Sequence, residues 1–242
     1  MNGSPLDVLL WLIIPYLALA AFVLGHIWRY RYDKFGWTTR SSQIYESKLL
    51  RIGSPLFHYG IVFVFVGHVV GLGIPKSWTE AVGITDGMYH FMAITIGTGA
   101  AAAVIGGLAI LIFRRRTNAR VFGATTKLDK LMYLMLAVVI LAGTYSTIFE
   151  SALGHYDYRE GISVWFRQFW MLQPDIALMA AAPLGFQIHV LTAILLFAIW
   201  PFTRLVHVFT VPVGYLTRPY IVYRSKDPVR QPVRRGWEPN DF

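Results

Sequence analysis

Residues 57–71 read FHYGIVFVFVGHVVG, an uncharged apolar stretch that carries His58 and His68 ten positions apart. As a helix it rises about 1.5 Å per residue, which sets the two imidazoles roughly 15 Å apart along one axis. A histidine in hydrocarbon is costly unless its ring nitrogens are occupied, so each is a candidate site residue. Residues 186–207, FQIHVLTAILLFAIWPFTRLVH, carry a second pair, His189 and His207, eighteen positions apart.

Working outward, residues 8–25, 56–74, 91–113, 131–149 and 176–203 form five long runs without a charged residue. The chain has 242 residues, 55% of them hydrophobic and only 14% charged, where a water-soluble domain of this size carries more charge and polar helix faces. Each run is long enough as a helix to cross a hydrocarbon layer of about 30 Å. The expected fold is all-α, a polytopic transmembrane bundle of five spans. The first run does not read as a signal peptide, because residues 1–28 hold no Lys or Arg and no small-residue cleavage pattern follows.

Of the 22 Lys and Arg residues, 19 lie in residues 29–51, 114–130 and 204–235, and the other connections hold only Lys76, Arg159 and Arg167. The positive-inside rule then places the N-terminus outside and the C-terminus in the cytoplasm. The net charge of +9 is a topology signal with anionic-lipid contact, not a sign of nucleic-acid binding. There is no cysteine, which removes disulfides, iron–sulfur ligation and thioether-linked haem.

The connections are expected to differ in character. Residues 31–50 mix aromatics, both charges and hydroxyls, which suits a surface helix or a partner-docking segment. Gly53-Ser54-Pro55 reads as the start of span 2. The GTGAAAAVIGG run of span 3 permits close helix approach, and Arg114-Arg115-Arg116 stop that span on the inner side. Span 4, without His or charge, is expected to pack around the others. Residues 150–175 read as an aromatic interfacial cap with a short helix, and His155 as solvated. His26 reads as interfacial, and Pro201 as a kink in span 5. No repeat or second domain is evident. Residues 1–225 form one membrane domain, and 226–242 a basic, Pro-rich tail that is disordered or orders on a partner.

Antiparallel spans 2 and 5 pair His58 with His207 near the inner face and His68 with His189 near the outer face. Two trans imidazoles per site suit a low-spin haem iron, whose other ligands come from the porphyrin. Zinc would need four donors, and neither stretch holds an acidic residue. The chain is therefore expected to hold two b-type haems by axial ligands and packing alone. The unequal spacings, ten against eighteen residues, must be absorbed by tilt and by the Pro201 kink. Gly60, Gly67, Gly71 and Gly73 suit either clearance for a flat macrocycle or helix packing. Arg204 suits either a haem propionate or a plain inner anchor.

The segments LFHYGIVFVFVGHVVG, RYDKFGWTTRSSQ, RVFGATT and WPFTRLVHVFTVPVGYLTRPY resemble the gamma subunit of membrane-bound respiratory nitrate reductase, over roughly residues 9–224. The resemblance implies a dihaem cytochrome b that oxidises quinol (menaquinol or ubiquinol) and passes electrons inward. His68 and His189 would hold the outer haem, His58 and His207 the inner one. It also implies an iron–sulfur beta subunit and a molybdenum-bearing alpha subunit as partners, in the cell membrane of a prokaryote. Some family members carry a quinol-binding lysine at the start of span 3, where this chain has Met88. His90, with Asp86 or Lys76, is expected to replace it, and Gly67 completes the candidate quinol-site residues. The alternatives are a quinone-linked cytochrome b of a heterodisulfide- or sulfite-pathway complex, a small transporter with histidine proton relays, and a purely structural anchor.

Overall fold

The computed structural model describes residues 4–33 and 42–210. The expected tail at 226–242, and the boundary at 225 before it, lie outside the described residues. Every regular element among those described is helical. Five helices are long and apolar enough to cross a membrane: span 1 (Pro5–Tyr32), span 2 (Lys48–Gly73), span 3 (Asp86–Thr117), span 4 (Lys127–Leu153) and span 5 (Leu184–Phe202).

The spans differ from the apolar runs mainly at their ends. Span 1 runs on to Tyr32, and Arg29 near its end is buried with its guanidinium donating to the Pro201 carbonyl. Span 2 does not begin at Pro55: it opens at Lys48, where the Glu46 carboxylate accepts from the Leu49 amide at 2.8 Å, and Pro55 lies inside the helix. Residues 176–203 are not one helix. A short helix, Ile176–Ala180, precedes a break at Pro183, and span 5 starts at Leu184. The Glu150 carboxylate accepts from the Gly185 and Phe186 amides at 2.8 and 3.0 Å, answering donors that the first turn leaves unpaired. Thr85 caps span 3, and Thr126 with Asp129 forms a reciprocal box at the start of span 4.

Spans 2 and 3 pack antiparallel at glycine distance. A Cβ at Gly60 would stand 2.8 Å from Val104, and one at Gly107 would stand 2.5 Å from the Phe57 backbone. The small residues of span 3 thus serve the close approach expected of them. Span 5 packs antiparallel along span 4, through Leu196 against Met132 and Leu136. It runs parallel with span 1, where a Cβ at Gly25 would stand 2.9 Å from the Pro201 ring. Spans 2 and 5 share no backbone interface of comparable extent.

The connection between spans 4 and 5 forms the expected aromatic cap, with a helix at Ile162–Trp170. Trp165 and Ile162 bury against Trp11, Ile176 and Met179. The Trp165 indole donates to the Trp11 carbonyl at 3.2 Å, within the π-helical turns Leu9–Ile13. At the opposite end Arg114, 2% exposed, is no plain stop signal. Its guanidinium bonds the Glu46 carboxylate, the Ser42 hydroxyl and the backbone carbonyls of Ser42 and Glu46, holding that loop to span 3.

Candidate functional site

Both expected histidine pairs are formed. The rings of His58 and His207 have centroids 6.0 Å apart, as do those of His68 and His189. Ten residues on one helix match eighteen on the other because span 5 does not run straight to His207. Its α-helix ends at Ile199, Trp200–Phe202 forms a tight 3₁₀ turn, and Thr203 is extended before the 3₁₀ segment Arg204–Thr210.

Each of the four rings has its Nδ1 against a carbonyl. His58 and His68 bond the carbonyls of Ser54 and Val64 at 2.7 Å, each one turn back on span 2. His189 reaches across to the Val139 carbonyl of span 4 at 2.9 Å, and His207 bonds that of Arg204. A carbonyl only accepts, so each Nδ1 carries the proton and each Nε2 keeps its lone pair. No hydrogen bond among the described residues engages those Nε2 atoms. Fixing the second nitrogen in this way orients an imidazole as a metal ligand. The carbonyl bond alone does not mark a ligand: His26 bonds the Phe22 carbonyl at 2.6 Å, yet its ring packs against Phe22 and Phe209, in keeping with a structural role.

The donor set suits one kind of metal group. Metal–nitrogen bonds of about 2 Å on either side, plus the reach of each ring, set two trans imidazoles roughly 6 Å between centroids. Among the described residues no group of three or more His, Cys, Asp or Glu side chains is placed to hold a metal. Two axial nitrogens are what an iron porphyrin, with its own four equatorial ligands, requires. The residues present therefore fit such a group at each pair.

Other expectations divide. Gly67 has nothing within 4 Å of a Cβ position, as has Gly73, whereas Gly60 is helix packing and Gly71 meets the hydroxyls of Tyr158 and Tyr89. Arg204 has an ion-pair partner that its expected roles did not include. Its Nε bonds Asp129 at 2.6 Å, and the Asp129 side chain is 4% exposed. Lys76 joins Asp86 at 2.7 Å, Glu160 at 2.9 Å and Asp157 at 3.3 Å. The hydrogen bonds to Asp86 and Glu160 hold its pKa above the ordinary lysine range. His90 is half-buried and shares in none of these bonds.

Some site residues were invisible in the sequence. Gly143 of span 4 backs His189: a Cβ there would stand 2.7 Å from the ring's Cε1. Val139, one turn earlier, supplies the carbonyl. Helical spacing of four on the span facing a histidine is compatible with this role but does not single it out. Asp129, the partner of Arg204 and of Thr126 in the capping box, went unremarked in the sequence.

The chain matches the family model for the nitrate reductase gamma subunit over residues 7–226. It is 54% identical to the nitrate reductase-like protein NarX of Mycobacterium tuberculosis over 240 residues, 98% of this chain but 37% of that longer protein. It is 43% identical to the nitrate reductase gamma chain of Bacillus subtilis, over 90% of this chain and 98% of that one. With the respiratory nitrate reductase 1 gamma chain of Escherichia coli the identity is 31%, over 88% of this chain and 95% of that one. Five membrane-capable helices and a match along nearly the whole chain lead to one conclusion: this is a membrane protein belonging to the nitrate reductase gamma-subunit family.

Proposed function

We infer that this chain is the quinol-oxidising dihaem cytochrome b subunit of a nitrate reductase complex. The observation that carries this is the pair of facing imidazoles at each of two depths, both 6.0 Å between centroids. His68 and His189 would hold one b-type haem, and His58 and His207 the other. Bound there, the haems supply one-electron relay chemistry. The protein's part is to fix four imidazole tautomers through carbonyl bonds, to supply an apolar surround, and to set potentials through those bonds and burial.

Quinol oxidation to quinone releases two electrons and two protons. The charge pattern of the connections supports an N-terminus outside and a C-terminus in the cytoplasm. With that orientation the His68/His189 pair lies near the outer face, and quinol docks beside it from the lipid. Lys76 spends its donors on Asp86, Asp157 and Glu160, so the polar contact to the quinol hydroxyl falls to His90. The open flank at Gly67 gives a flat ring access next to His68. Electrons leave at the inner face to an iron–sulfur beta subunit and reach a molybdenum-bearing alpha subunit, where nitrate is reduced. The gamma-chain names of the Bacillus and Escherichia relatives support a multi-subunit nitrate reductase, and we place it in a prokaryotic cell membrane.

A reduced-minus-oxidised spectrum with haem quantification on the purified chain tests the proposal. Two b-type haems per chain are expected. A colourless chain from cells with ample haem overturns it and favours a proton-relay transporter or a structural anchor. Co-purification of an acceptor enzyme other than nitrate reductase would instead point to a heterodisulfide- or sulfite-pathway complex.

A further inference from the structure

Just beyond His68, span 2 ends against two arginines that no carboxylate among the described residues answers. Arg159 is 3% exposed, with its guanidinium carbon 3.9 Å from the centroid of the Tyr89 ring. Its Nη2 donates to the Thr79 hydroxyl at 2.9 Å, while its Nε and Nη1 are buried with no hydrogen-bond partner. Arg167 donates through Nη1 to the Leu72 carbonyl at 3.1 Å, four residues past His68. Burial, and then the nearby charge of Arg159, hold the Arg167 pKa below its ordinary value.

Four carboxylates of this region are committed elsewhere, while Glu80, beside Thr79, forms no ion pair among the described residues. Asp86, Asp157 and Glu160 converge on Lys76, and Glu150 holds the first amides of span 5. A guanidinium buried with unpaired donors is a costly arrangement without an anion, and a second arginine bonds the same end of span 2. Contacts tie them to the helix turns next to His68 and His189. The Tyr158 ring packs on Phe186, three residues before His189, at 6.3 Å between centroids. Its hydroxyl lies 2.8 Å from a Cβ position on Gly71, three residues after His68, and 3.2 Å from the Tyr89 hydroxyl. Tyr89 in turn carries Arg159 on its ring.

We propose that Arg159 and Arg167 receive the carboxylates of the haem held by His68 and His189. The inference rests on the dihaem reading above. A b-type haem bears two carboxylates on one edge, a match in number and sign for two guanidiniums. A neutral quinol offers hydroxyl oxygens but no charge to balance them, so it is the weaker fit. The chemistry needs no covalent change, only charge-assisted hydrogen bonds from arginine N–H groups to carboxylate oxygens.

The test uses membranes containing the full chain with H58A, which leaves the His68/His189 pair as the single site. Produced without haem, they are titrated with haem b and with its dimethyl ester. Haem is expected to bind roughly tenfold or more tightly than the ester, as for loss of a charge-assisted pair. In R159Q/R167Q that preference disappears, and the reduction potential of the bound haem falls, because two positive charges no longer favour the reduced iron. R167Q alone and R159K, which keep more of the local packing, lose part of the preference. The comparison of haem with ester in the arginine-intact chain needs no substitution at Arg159 or Arg167. Equal affinities there, or an unchanged preference in R159Q/R167Q, overturn the proposal. A raised KM for quinol in R159Q/R167Q of the complete nitrate reductase complex with His58 intact, with the haem preference unmoved, assigns the arginines to quinol and overturns it too. If the folded H58A chain binds no haem of either kind, the dihaem reading itself fails and this inference falls with it.

Discussion

Gly143 and His189 lie so close that a Cβ on the glycine would stand 2.7 Å from Cε1 of the imidazole. Span 4, which carries no histidine between residues 131 and 149, thereby sets where a span 5 ring sits. It does so twice over, since the Val139 carbonyl holds the Nδ1 of the same ring at 2.9 Å.

Gly143→Ala should therefore push the His189 ring off its axis. Overpacking of this kind costs about 1–3 kcal/mol, and the ring is the part free to move. The expected result is one haem per chain instead of two, with the chain still inserted, measured by haem quantification on purified protein. Two haems with unaltered spectra would remove Gly143 from the site.

The pairing predicts a pattern of non-additivity. His68→Ala should cost one haem, and adding His189→Ala should cost no more, because both belong to one site. His58→Ala combined with His68→Ala should leave none. Loss of both haems in the H68A/H189A chain would mean that the pairs are not independent sites.

Asp129→Ala strips Arg204 of its carboxylate partner and span 4 of its capping box. Removing one partner of a buried pair costs about 3–5 kcal/mol. The thermal midpoint should drop, and the haem of the His58/His207 pair should be the first lost, since the Arg204 carbonyl holds His207. D129A/R204L should be less damaged than D129A. An equal or greater loss in the double variant contradicts the ion-pair account.

Glu46 gives a pH dependence. Burial alone would raise its carboxyl, but the Leu49 amide and the Arg114 guanidinium outweigh that and hold its pKa below the ordinary value. A lowered folded pKa means that the stabilisation is fully present above the unfolded value of about 4.3 and is lost as pH falls through the folded one. Glu46→Gln should have a lower thermal midpoint than the unsubstituted chain at pH 7. The gap should close as pH drops below 4. A gap that is constant across this range would show that charge on Glu46 does not matter.

Much of the site was legible because hydrocarbon imposes a simple code. Uncharged runs long enough to cross, and basic residues gathered in alternate connections, define five spans and an expected orientation. Alternation of direction then dictates which histidine on span 2 meets which on span 5. That code says nothing about span ends, where caps and aromatic anchors decide. Hence Pro55, which reads as a helix start, lies inside span 2, and Pro183 divides a run that reads as continuous. Nor does that code name the carboxylate partners of Arg204 and Arg114, which lie 75 and 68 residues away in the chain.

The sequence by itself determined the helical class, the five crossings and the pairing of His58 with His207 and His68 with His189. These follow from periodicity, length and alternation, all local properties of the chain. Only the tertiary structure decided that both pairs stand 6.0 Å apart despite unequal spacing, that Gly143 and Val139 seat His189, and that two arginines gather beyond His68. These depend on a break at Thr203 and on contacts between distant segments. Packing brings such groups together, and no short-range pattern encodes which will meet.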